Sequence, residues 1–194
     1  MVLVNETLNM TITFTDSVID RTIELVGAPY YHKDMLWITL PLIISLFLMQ
    51  LYFARYRKEE LGWNTAVGNS LALIFVAMDL FRHVYVRAES KAIIDIVFGQ
   101  FREVAIIVGV GFISLWLLFG EFFHLIPKRL AFYVSSSLPT TLIAYLGIVL
   151  IYTNVSLDFI TFIAGVFLFI LLAAFFRILH IFTPYYIAPE EIIR

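Results

Sequence analysis

The sequence predicts an all-α polytopic membrane protein: a bundle of about five transmembrane helices with a short extracellular N-terminal strand and amphipathic helix. Three observations predict it. Of 194 residues, 61% are hydrophobic and only 14% charged, where ordinary soluble domains carry about 25% charged residues. Mean hydropathy is +0.93. From residue 35 onward, apolar runs of about 20 residues, enough to cross a hydrocarbon core, alternate with short polar breaks. Residues 1–34 therefore read as an extracellular segment and 35–194 as the membrane domain.

Composition narrows the function classes. The net charge of −2 comes without the concentrated basic face that phosphate binding needs, so no nucleic-acid partner is expected. The lipid bilayer is. With no cysteine, disulfides, thiolate metal sites and cysteine nucleophiles are excluded. The N-terminus lacks the basic start and apolar run of a cleavable signal, so the first span is expected to direct insertion. Walker, Rossmann, G-x-S-x-G and H-E-x-x-H patterns are missing.

In chain order, residues 7–15 alternate strictly, with Leu8, Met10, Ile12 and Phe14 set against Thr and Asn. Period two in residues of good strand propensity predicts a strand. A lone strand needs a partner, either another protein or a neighbouring copy. Asp16 or Ser17 would then cap a short helix through Val26, closed by Gly27 and Pro29. The spans follow at about 35–52, 62–83, 104–123, 130–152 and 157–176. Residues 87–103 are too polar for lipid and too apolar for a linker, and read as helix projecting beyond the bilayer.

With the N-terminus outside, seven of the 13 Lys and Arg fall on the cytoplasmic side and six outside, so charge alone is nearly neutral. The sequons at Asn5, Asn9 and Asn154 all fall outside in that topology, which supports it. The expected location is the cell membrane, multi-pass, with the C-terminus cytoplasmic.

Intramembrane polar residues mark candidate sites, since each needs a partner or water. In the second span Thr65, Asn69, Ala72, Val76, Asp79 and His83 follow four- and three-residue steps along one face. The third span repeats the pattern with Gln100, Glu103, Ile107, Gly111, Ser114, Leu118, Glu121 and His124. Asp79, Arg82, Arg102 and Glu103 would form an outer layer, with Arg82 pairing with Asp79 and Arg102 with Glu103. Glu121 and His124 form an inner layer, with Asn69 and Ser114 midway. Facing each other, the two helices would line a hydrated path. A dry, close-packed polar seam is the competing reading. Glu121-x-x-His124 has the step of carboxylate-bridged metal sites, and His180 would be a third ligand. One such pair is a weak match, and no metal or cofactor is expected.

The pattern points to a homo-oligomeric channel or transport protein with Asn69, Asp79, Arg82, Arg102, Glu103, Ser114 and Glu121 along its path. The alternative is a structural subunit whose N-terminal strand pairs with a partner or a neighbouring subunit.

Overall fold

The computed structural model describes residues 2–56, 62–88, 92–153 and 155–184, with side chains from residue 11 onward. All regular structure among them is helical. Helix α1 runs over Val2–Tyr31, and a 3-10 turn, Lys33–Met35, leads into α2, Leu36–Arg55. Then come α3 (Trp63–Arg87), α4 (Ile93–Gly99), α5 (Phe101–Phe122), α6 (Lys128–Val134), α7 (Ser137–Tyr152) and α8 (Phe159–Phe182). Four stretches, Lys33–Arg55, α3, α5 and α8, are long and apolar enough to cross a membrane. The pair α6 and α7, bent by 44°, makes a fifth if counted as one span. Such a set fits a membrane location.

The predicted N-terminal strand is not there, and neither is the short helix closed by Gly27. One helix, α1, runs through both. Its burial explains the difference. Val18, Thr22, Leu25 and Ala28 are buried, a helical repeat that packs on α8 and α7, and tertiary burial overrides strand propensity. The hydroxyls adapt to the helix: Thr15 donates to Thr11 O at 2.8 Å, Ser17 to Thr13 O at 2.8 Å and Thr22 to Val18 O at 2.7 Å. Asn5 and Asn9 fall on α1, but their side chains, like all of Asn154, lie outside the described residues.

Proline explains two further features. Pro29 has no N–H to offer the carbonyl four residues back, so Leu25 O is released, and the Tyr145 hydroxyl of α7 donates to it at 2.6 Å. Pro139 likewise releases Ser135 O, at the break between α6 and α7. The Asn69 amide of α3 donates to that carbonyl at 2.7 Å. Where one continuous fourth span is predicted, the structure has two helices, α6 and α7, bent by 44° at a break.

The core is centred on α3, α5 and α7. Along α3 the buried residues are Ala66, Ser70, Leu73, Val76, Ala77, Leu80 and Val84, all but Val76 in steps of four and three. α5 packs on them with Ile107, Val110, Ser114 and Glu121, all buried. Gly147 of α7 fits where these helices meet: a Cβ there would stand 3.1 Å from Val110 and 3.5 Å from Leu80.

Candidate functional site

Two polar sites lie along α3. The first is at the break between α6 and α7. Ser70 of α3, Glu121 in the last turn of α5 and Ser135 at the break are each 0% exposed. The turn after α5 brings them together. Leu125 N–H donates to Gly120 O at 2.8 Å, and Ile126 folds onto Gly120, where an added Cβ would collide with the Ile126 side chain. The chain therefore reverses directly after Glu121, and α6 brings Ser135 back beside it. The Ser70 hydroxyl donates to Glu121 Oε2 at 2.7 Å, and the Ser135 hydroxyl donates to Oε1. No ion pair among the described residues involves Glu121. Glu121 is thus a carboxyl group with two hydroxyl donors, full burial and no cationic partner among the described residues.

The second site is a cleft of about 1170 Å³ where α2 and α3 scarcely touch, at the other end of α3. Asp79 is nine residues beyond Ser70, about 14 Å along the helix. Arg82 donates to Asp79 Oδ1 from Nε at 3.0 Å and from Nη2 at 2.6 Å, and its side chain is 71% exposed. The His83 ring stacks on Tyr152 at 3.8 Å, and its Nε2 lies 3.2 Å from an Arg87 nitrogen. Lys33 and Asp34 line the opposite wall. Further down the cleft the lining is Leu42, Ala72, Phe75 and Val76.

The predicted residues are thus partly regrouped. On α5 the expected face does turn inward, since Ile107, Ser114 and Glu121 are buried. On α3 only Val76 of the predicted face is buried, and the rest of the buried stripe lies one residue, or about 100°, from that face. Asp79 and His83 therefore look into the cleft and not toward α5. Asn69 sits beside Ser70, in the Glu121 layer and not midway. Ser114 donates to Gly111 O of its own helix at 2.8 Å. Arg102 lies 3.8 Å from Glu103 and donates to Leu150 O at 3.4 Å and to Val155 O. It thereby serves one carbonyl in the last turn of α7, which the helix leaves open, and one in the loop after it.

His124 adopts a positive φ of 54°, and its ring meets the edge of Trp63 at 4.2 Å. No group of three metal-ligating side chains occurs among the described residues, so Glu121, His124 and His180 do not assemble into one. Sequence reasoning missed Ser70 and Ser135 as partners of Glu121. The signal was Pro139, four residues after Ser135. No family model, curated protein or solved structure matches the chain.

Proposed function

We propose that the chain is a membrane transport protein, a channel or carrier, that works as a homo-oligomer with its polar route built on α3 and α5. The observation that carries this reading is the Glu121 carboxyl, wholly buried between Ser70 and Ser135 with no ion pair among the described residues. Ionisable groups inside a membrane characteristically mark ion or proton pathways. A broken span supports the same reading, because interrupted helices in transporters present unwound backbone at their ion sites. Here the break is held by Asn69 and faces Glu121. The transported or coupling species is then a proton or a monovalent cation, neutralised at Glu121 and relayed past Ser70. Glu103, with Arg102 beside it, stands near the mouth of that route, while Asp79 and Arg82 face the cleft. We place the protein in the cell membrane, multi-pass, with the N-terminus outside.

The test is flux in proteoliposomes, measured with a pH-sensitive dye and with radiolabelled sodium and potassium. Wild-type protein should carry flux of one of these species. Glu121→Gln, which keeps the shape and one accepting oxygen, should abolish flux while the protein still elutes as wild type. Full flux in that variant, or none in the wild type, overturns the proposal.

A second reading, a structural subunit, is favoured by α1. Ile12, Ile19, Ile23 and Val26 are at least 43% exposed and recur at helical spacing, a row able to meet another helix. If that row is an assembly face, Ile19→Glu with Ile23→Glu lowers the oligomeric state, and the parent carries no flux.

A further inference from the structure

We propose that the cleft between α2 and α3 holds one molecule of anionic phospholipid, its phosphate among Lys33, Arg82 and Arg87 and an acyl chain along Leu42, Ala72 and Phe75. The inference is independent of transport and of Glu121. It starts from how the lining is sorted. At one end stand Lys33, Arg82 and Arg87, with Asp34, Asp79, His32 and His83: three permanent cations, two carboxylates and two imidazoles. Asp79 is already engaged by Arg82 through two hydrogen bonds, and the arginine nevertheless keeps 71% of its side chain exposed. A phosphate can therefore take the remaining guanidinium donors of Arg82 without breaking that pair, because guanidinium presents five N–H groups in a fork.

Towards the middle of α2 and α3 the polar groups stop. Beyond Asp79 the α3 wall is Val76, Phe75 and Ala72, four residues or about 6 Å along the helix from Val76 to Ala72, and it faces Trp37, Ile38, Pro41 and Leu42 of α2. Polarity thus changes from charged to apolar along the direction of the spans, as it does along a phospholipid. A free anion would use only the first part of the site. Trp37 is 89% exposed, and an aromatic of this kind suits the level where headgroup meets chain. The volume of about 1170 Å³ accommodates a headgroup with the upper part of a chain. Basic pockets between membrane helices are suited to anionic headgroups through the same electrostatics.

Native mass spectrometry and a fluorescent-lipid displacement assay on the full chain in detergent test the proposal. Phosphatidylglycerol should bind at one per chain, and phosphatidylcholine more weakly. Lys33→Gln with Arg87→Gln should weaken phosphatidylglycerol about tenfold or more, the scale of losing a charge-assisted contact. Lys128→Gln, a basic residue on α6, should leave it unchanged. Ala72→Trp fills the apolar part without touching a charge, and should displace phosphatidylglycerol equally. Glycerol phosphate, the headgroup without chains, should fail to compete at concentrations where the lipid saturates. Competition by glycerol phosphate at the lipid's own concentration would overturn the proposal in favour of a free-anion site. Unchanged lipid binding in both the charge and the Ala72→Trp variants would overturn it altogether.

Discussion

At the scale of single residues, the chain is governed by where released carbonyls find donors. Pro29 and Pro139 each leave an acceptor without its helical partner, and Tyr145 and Asn69 supply the replacement. Tyr145→Phe should therefore destabilise the protein by about 1–3 kcal/mol, the cost of a buried polar group left unsatisfied. In a Pro29→Ala background, where residue 29 regains an N–H, the same change should cost much less. Thermal unfolding in detergent for the four members of that cycle measures the coupling, and equal losses in both backgrounds would show that the hydroxyl does not serve Leu25 O. Asp158 sets a pH dependence. It accepts the Ser156 hydroxyl at 2.6 Å and the Thr161 N–H at 2.7 Å, with Arg21 at 3.6 Å. The Ser156 bond first, then Thr161, hold its carboxyl down to about 2 from the usual 3.8. A folded value below the unfolded one stabilises above pH 3.8, and that contribution is lost as the pH falls through about 2. Melting temperatures between pH 5 and 2 should fall less steeply in Asp158→Asn than in wild type.

The helices obey the same local chemistry on a larger scale. Gly147 sits where α7 meets α3 and α5, and a methyl there meets Val110 at 3.1 Å. Gly147→Ala should lower stability by about 1 kcal/mol or more, the usual cost of overfilling a packed site. Gly109 has nothing within 4 Å of an added Cβ, so Gly109→Ala should raise stability by roughly 0.5–1 kcal/mol through helix propensity alone. Denaturant titration of the pair checks both signs. The spans were legible because continuous apolar length is the most direct signal a chain offers. The N-terminal strand was misread because alternation at residues 7–15 was visible, while the buried row at Val18, Thr22, Leu25 and Ala28 depended on α7 and α8 being present to cover it. The break in the fourth span was hidden for a related reason. A proline in a first helical turn is ordinarily tolerated, and only the Asn69 contact shows that a carbonyl had been released there.

For the molecule as a whole, two polar sites lie about 14 Å apart along α3. One is a buried acid at a broken span; the other is an open, charged cleft. Glu121 was legible as an intramembrane carboxylate, and its depth near one end of α5 followed from counting residues. Its partners were not, because they come from α3 and from a break that sequence periodicity does not reveal. The rotation of the polar face of α3 into the cleft was equally hidden, since one residue of helical phase separates a face that packs on α5 from one that does not. The account therefore rests on Glu121 being the working carboxyl. Covalent modification by an apolar carbodiimide, which reaches carboxyl groups through lipid, tests it most directly when labelling and flux are followed in the same proteoliposomes. Peptide mass mapping should find the adduct on Glu121, with flux falling in proportion to its occupancy. Full labelling of Glu121 with flux unchanged, or flux lost while Glu121 remains unlabelled, would contradict the account.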